Sequence, residues 1–131
     1  MSVELIMLLY ATALLIALVL IQATAGVLAQ GLVPMANSRD NLPEPKPFQA
    51  RMKRVVDNHR EGLLMFAPLV LIANMTAVSN DTTVLGAQLF FYARLAHAII
   101  YITGLPMIRP LAWAVGLVGT LMVLKELLGI G

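Results

Sequence analysis

The feature that most constrains the fold is a nearly continuous apolar run over residues 3–29. A helix rises about 1.5 Å per residue, so this run exceeds the roughly 20 residues that cross a bilayer. We therefore expect the first transmembrane helix over residues 3–29. Ala23, Thr24 and Ala25 resemble a signal-peptide cleavage site, but the run is too long for a signal peptide and its start carries Glu4 rather than a cation.

The overall composition indicates a membrane protein with several helices. The chain of 131 residues is 60% hydrophobic and 12% charged, and its mean hydropathy is +0.85. The net charge of +2 is small and the cations lie beside apolar segments, so we expect no nucleic-acid partner. Because the chain has no cysteine, thiol chemistry would need a thiol brought by a ligand.

Turn-forming residues divide the chain into four predicted helices within a single domain over residues 1–131. The segment 30–49 should be a surface loop, because it contains Pro34, Pro43, Pro45 and Pro47. A polar turn over residues 79–82 and the sequence Gly104, Leu105 and Pro106 mark two further connections. The sequence thus predicts an all-α, polytopic four-helix bundle with helices over residues 3–29, 50–78, 83–103 and 108–128.

Lys and Arg are unevenly distributed among the three connections. The second connection has neither, and the third carries Arg109. The first connection and the adjoining start of the second helix carry Arg39, Lys46, Arg51, Lys53, Arg54 and Arg60. Cytoplasmic loops are enriched in Lys and Arg, so we expect the first and third connections in the cytoplasm and both termini on the opposite side. Lys125 is the one basic residue that argues against this topology.

Two polar helix faces interrupt the apolar sequence. Residues spaced three or four apart share one face of a helix. On the second helix these residues are Arg51, Arg54, Asn58 and Glu61, and on the third they are Arg94, His97 and Tyr101. An arginine inside a membrane segment must meet a partner, so we expect the two faces to lie level with each other.

These faces allow two interpretations. In the first, Arg94 and Glu61 form a buried structural ion pair between two helices. In the second, the guanidinium groups bind carboxylates, Glu61 binds an ammonium group and Asn58 bonds to a peptide, which together suit a short zwitterionic peptide. Arg109 would then favour a ligand's thiolate, or it would serve as a positive-inside residue.

The two histidines do not predict a metal site. We expect His59 to be solvated at the membrane surface and His97 to be packed within its helix. Neither histidine has a second metal ligand at a suitable spacing, so we expect no bound metal.

The motifs together resemble the MAPEG family, the membrane-associated proteins in eicosanoid and glutathione metabolism. The resemblance rests on the pattern R-x-x-R-x-x-x-N-x-x-E over residues 51–61, the run ARLAHAIIY over residues 93–101 and PMIRPL over residues 106–111. It extends over essentially the whole chain. The chain looks more like the short bacterial members, which are related to microsomal glutathione transferase.

The resemblance implies a multi-pass protein of the bacterial inner membrane that assembles as a homotrimer. Glutathione would be its co-substrate, bound between neighbouring subunits near the cytoplasmic face, and lipophilic electrophiles would enter from the lipid for transferase or peroxidase chemistry. By position, Arg109 would stabilise the thiolate. The residues that would bind glutathione are Arg54, Asn58, Glu61, Arg94, His97 and Tyr101.

The chain departs from the well-characterised catalytic members at three places. Residues 29–31 lack an arginine that those members carry, Val55, Val56 and Asp57 stand where those members carry further polar or basic residues, and Pro110 stands where a small hydroxyl is expected. Two other classes therefore stay open. The first is a non-catalytic MAPEG-type protein that binds lipid or serves as an accessory subunit of a larger membrane complex. The second is an unrelated transporter component, for which ionisable residues near the bilayer centre are expected.

Overall fold

The computed structural model describes residues 1–105 and 107–129, and these form five helices. The helices are α1 (Val3–Gln30), α2 (Leu32–Ala36), α3 (Pro47–Met75), α4 (Asp81–Thr103) and α5 (Arg109–Leu128). No strand occurs in the described residues, in agreement with the all-α prediction. The predicted count of four helices is not confirmed, because the short α2 forms inside the first connection. It tolerates Pro34 because the missing N–H falls in the first turn.

The ends of α3 and α4 differ from the predicted ones for local reasons. The helix predicted to begin at residue 50 begins at Pro47, since proline favours the first helical position. It ends at Met75 rather than at residue 78, and Ala77 follows with a left-handed φ of 57°. The next helix begins at Asp81, because the side chain of Asn80 accepts a hydrogen bond from Thr83 N at 3.0 Å.

Gly104 ends α4 with a left-handed φ of 75°, a conformation that glycine adopts at low cost. This agrees with the predicted break in the sequence. Pro106, the other residue on which that prediction relied, lies outside the described residues.

Three helices are long and apolar enough to cross a membrane, namely α1, α4 and α5. The helix α3 is not among them, although it has 29 residues, because its first half is polar as far as Glu61. Its apolar part, residues 62–75, is shorter than the roughly 20 residues that usually span a bilayer.

Successive long helices run in opposite directions. At one end of the bundle, Gln30 Nε2 at the end of α1 donates to Gln49 Oε1 near the start of α3, at 3.2 Å. At the other end, Thr83 Oγ1 near the start of α4 donates to Glu4 Oε2 near the start of α1, at 2.8 Å. The first and third connections therefore lie at the same end, which we call the basic end.

The buried core consists of two apolar clusters with polar residues between them. In the cluster far from the basic end, the rings of Phe66 and Phe90 stack with centroids 3.9 Å apart. That cluster comprises Met7, Ala11, Phe66, Val70, Ala87, Phe90 and Val123. The cluster towards the basic end comprises Leu18, Met52, Val55, Val56 and Ala98. Along α3, the polar residues 58–61 separate the two clusters.

The helices α4 and α5 approach each other until their backbones touch at Gly86 and Gly119. A Cβ atom on Gly119 would lie 2.8 Å from Phe90 N and would clash with Gly86 O. Backbone atoms of packed helices cannot move aside as a flexible side chain can, so these two positions require glycine.

We expect Gly119→Ala to lower the free energy of unfolding by about 1–3 kcal/mol, the usual cost of overpacking. Gly116→Ala on the same helix is the matched control, because a Cβ atom there would lie 3.5 Å from Arg94 Cδ, an ordinary contact distance. Thermal unfolding of the detergent-purified variants measures the difference. Equal losses in the two variants would contradict the proposed backbone contact.

Candidate functional site

Arg94 is a buried cation within a helix that is apolar enough to cross a membrane. Its side chain is 3% exposed. Its Nη2 donates to Asn58 Oδ1 at 2.6 Å and its Nε donates to His59 Nδ1 at 3.4 Å. Among the salt bridges of the described residues, none involves Arg94. Neutral partners on α3 therefore hold the guanidinium group, and the structural ion pair with Glu61 does not form.

The prediction that His59 is solvated at the membrane surface is wrong. His59 is 1% exposed, and its Nε2 lies 2.8 Å from Ala11 O in α1. Because a carbonyl oxygen accepts hydrogen bonds, Nε2 carries the proton and Nδ1 accepts from Arg94. His59 thus joins α1, α3 and α4. It lies about 18 Å along α3 from Pro47, which places it well inside the bundle.

Two glycines that the sequence analysis did not single out lie against the Arg94 side chain. A Cβ atom on Gly62 of α3 would lie 3.5 Å from Arg94 Nε, and one on Gly116 of α5 would lie 3.5 Å from Arg94 Cδ. The side chain therefore passes between two helices at positions that carry no side chain. The sequence did contain a signal for these two positions. Each glycine lies in the interior of a helix, where glycine is intrinsically unfavourable.

Two exposed cations converge on the ring of Tyr101. Arg109 Cζ lies 4.6 Å from the ring centroid, and Arg54 Cζ lies 5.8 Å from it. The His97 ring is tilted against the same residue, with centroids 5.5 Å apart. An aromatic face attracts cations, so Tyr101 brings positive charge from α3 and α5 to one place at the basic end.

A groove of about 260 Å³ opens beside this ring, between α3, α4 and α5. It is lined by Asn58, His97, Tyr101, Arg109, Pro110 and Trp113. His97 is 1% exposed, and its buried Nδ1 has no hydrogen-bond partner. The side-chain oxygen of Asn58 is bonded to Arg94, which leaves its amide hydrogens to donate. The groove thus combines hydrogen-bonding groups, a cation and an apolar wall.

The structure brings most of the predicted site residues together. Those that line the groove are Asn58, His97, Tyr101 and Arg109. Arg54 contacts the same tyrosine, and Arg94 lies behind Asn58. Glu61 is exposed on α3, and no described residue forms a salt bridge or hydrogen bond with its carboxylate.

The neighbouring charges on α3 bind one another. Asp57 pairs with Lys53 and with Arg60, each at 2.8 Å, on the outer side of the helix. The hydrogen bond from Lys53 lowers the pKa of Asp57, and the positive charges of Lys53 and Arg60 act in the same direction. The Asp57 carboxylate is therefore paired without a ligand.

At two of the three positions where the sequence departs from catalytic relatives, the residues have packing roles. Gln30 is bonded to Gln49 across the ends of α1 and α3. Val55 and Val56 are buried in the apolar cluster with Leu18. These side chains hold the helices together and do not reach the groove.

Comparison with known protein families agrees with the family resemblance that the motifs indicate. The family model described as the MAPEG family matches residues 6–128. No curated protein and no solved structure matches the chain. The matched range contains all the residues that line the groove and the buried partners of Arg94. The chain therefore belongs to the MAPEG family, a family of membrane proteins.

Proposed function

We propose that the protein is a glutathione-dependent membrane enzyme that conjugates or reduces lipophilic electrophiles. The observation that carries this proposal is the convergence of Arg54 and Arg109 on Tyr101, at a groove that Asn58 and His97 also line. Membership of a family that is known to involve glutathione supports the choice of ligand.

The groups around the groove complement those of glutathione, which carries carboxylates, an ammonium group, peptide amides and a thiol. The exposed guanidinium of Arg54 suits a carboxylate, and the amide hydrogens of Asn58 suit a peptide carbonyl. The exposed carboxylate of Glu61 suits the ammonium group. Arg94 is buried, so in this proposal it acts on the ligand by holding Asn58 in place.

Arg109 is the residue that we assign to the thiol. A guanidinium group beside a thiol lowers the pKa of the thiol and so raises the fraction of thiolate, which is the nucleophile. The thiolate sulfur forms a bond to the electrophilic carbon while the leaving group departs with its electron pair, and the thiol proton goes to solvent. Pro110 and Trp113 line the same groove and offer an apolar wall for a lipophilic substrate.

We further propose a homotrimer in which a neighbouring subunit completes this site. The groove of about 260 Å³ is smaller than the ligand pockets of about 300–1,000 Å³ found in most proteins. Arg54 and Glu61 are exposed beside it and can face another subunit. A ligand between two subunits would be contacted on both sides.

We also propose that the C-terminal part of α3 forms a fourth membrane crossing. The helix accompanies α1 over most of its length, from the contact of Gln49 with Gln30 to the cluster that joins Phe66 and Met7. The polar side chains of Asn58 and His59, which come just before this part, bond to α4 and α1, so they would not face lipid. The cations near the basic end favour a cytoplasmic location for that end in a bacterial inner membrane.

Glutathione should raise the apparent melting temperature of the detergent-purified protein, because a ligand that binds the native state stabilises it. The expected gain is about 2.7 kcal/mol at one hundred times the dissociation constant. Arg54→Ala and Glu61→Ala should abolish the shift, whereas Arg60→Ala should keep it because Arg60 pairs with Asp57 away from the groove. A shift that survives both site variants would place glutathione elsewhere.

The second candidate function is non-catalytic lipid binding, alone or as an accessory subunit of a larger membrane complex. It is favoured by an apolar groove of about 390 Å³ on the outer side of α1 and α3, where Leu15, Leu63 and Leu71 contribute to the lining. Under this alternative, saturating glutathione leaves the melting temperature unchanged, and lipid bound in this groove co-purifies with the protein.

A further inference from the structure

A second cavity, of about 330 Å³, lies at the basic end between α1, α3 and the first connection. It shares no lining residue with the groove beside Tyr101. Its lining includes two cations, two amides and apolar residues of α1, among them Arg39, Lys53, Gln22, Gln49, Val19 and Ala23.

The first connection is folded back over α1 to form one wall of this cavity. Met35 of α2 lies directly against Gly26, where a Cβ atom would come within 2.7 Å of Met35 Cε. The Nε of Arg39 donates to Met35 O at 2.7 Å, and Arg39 has a left-handed φ of 67°. Because that conformation is unfavourable for a residue other than glycine, the hydrogen bond and the Met35 contact help to hold Arg39 over the cavity.

The cavity is positively charged above an apolar floor. No acidic side chain lines it, and Arg39 forms no salt bridge with another described residue. Lys53 pairs with Asp57 at 2.8 Å but is 70% exposed, so its ammonium group can bind a second anion. Val19 and Ala23 lie one helical turn apart on α1, and the nearby Leu20 and Ile16 are 62% and 58% exposed.

We propose that this cavity binds an anionic phospholipid of the surrounding bilayer. Its phosphate would lie between Arg39 and Lys53, and the side-chain amides of Gln22 and Gln49 would donate to its ester carbonyls. The acyl chains would leave over Val19 and follow the exposed apolar side of α1. The cavity lies at the end of a membrane-spanning helix, where headgroups are found, and basic pockets between such helices bind anionic headgroups.

Native mass spectrometry of the detergent-purified protein, titrated with phosphatidylglycerol or phosphatidylcholine, tests the proposal. Phosphatidylglycerol should bind more tightly than phosphatidylcholine. The double variant Arg39→Gln/Lys53→Gln should bind phosphatidylglycerol about thirtyfold more weakly, roughly fivefold for each lost cation. Arg60→Gln is the comparison variant. It also removes a partner of Asp57 but lies outside this cavity and lines the apolar groove beside Leu63, so an equal loss there would argue against this cavity as the site.

A second variant, Ala23→Phe, keeps both cations and fills the cavity, so it should also reduce phosphatidylglycerol binding. Inorganic phosphate in large excess should leave the lipid bound, because the apolar floor contributes to binding. Equal affinity for the two lipids, equal loss in Arg60→Gln, unchanged binding in Ala23→Phe or displacement by inorganic phosphate would each overturn the assignment.

Discussion

His59→Leu should lower the free energy of unfolding by about 2–4 kcal/mol. The substitution keeps a side chain of similar size but leaves the Nε of the buried Arg94 without its partner and removes the second hydrogen bond to Ala11 O, which still accepts its backbone bond within α1. Each buried polar group that loses its hydrogen bond costs about 1–3 kcal/mol, and more when the group is charged. Thermal unfolding in detergent measures this loss of stability. The control is Arg60→Leu at the next residue, which is exposed, so this substitution should change stability little.

A double-mutant cycle with Arg94→Met measures the interaction energy between His59 and Arg94 apart from the loss of packing. Once Arg94 is gone, His59 Nδ1 has no cation to accept from, so the loss of the imidazole should cost less. The double variant should therefore be more stable than the sum of the single effects predicts, by about 0.5–3 kcal/mol. Strictly additive effects would show that His59 and Arg94 do not interact as the structure indicates.

This network also connects stability to the candidate site. The carbonyl of Ala11 fixes the His59 ring, the ring and Asn58 hold Arg94, and Asn58 lines the groove. A substitution of His59 would therefore alter the groove through Arg94 and Asn58, although His59 itself does not contact the ligand. For that reason His59 is a positioning residue in the proposed function.

The membrane helices could be predicted from the sequence because they depend on local properties. Apolar runs fix α1, α4 and α5, and the helix-period spacing of Arg94, His97 and Tyr101 correctly places them on one face of α4. The convergence of Tyr101 with Arg54 and Arg109 also follows from the predicted order of the helices.

The environment of His59 could not be predicted in this way. Its depth depends on which turn of α3 lies level with which turn of α1, and its partner at Ala11 is a backbone carbonyl that no residue type signals. The sequence analysis expects the polar faces of α3 and α4 to lie level with each other but places His59 at the membrane surface, whereas His59 lies between the two apolar clusters and is bonded to other helices. A polar sequence in a membrane protein therefore does not by itself indicate the membrane surface.

Arg109→Ala should reduce turnover with glutathione and a chlorodinitrobenzene by up to about thirtyfold at pH 7, because a thiol whose pKa returns to about 8.5 is only about 3% thiolate at that pH. Arg109 is exposed at the start of α5 and contacts the Tyr101 ring, so its removal should leave the fold and the proposed trimer intact. Arg109→Lys should retain part of the activity, because it keeps the charge and loses the planar guanidinium. Arg60→Ala is the control for a lost surface cation.

The pH dependence of the Arg109→Ala defect distinguishes stabilisation of the thiolate from binding of the peptide. If Arg109 lowers the pKa of the bound thiol, its loss raises that pKa towards the ordinary thiol value of about 8.5. The fraction of thiolate then falls most at acidic and neutral pH, so the defect of Arg109→Ala should shrink as the pH rises. The ultraviolet absorbance of the thiolate should shift in parallel. A defect of the same size at every pH, with a higher KM for glutathione, would instead make Arg109 a residue that binds the peptide.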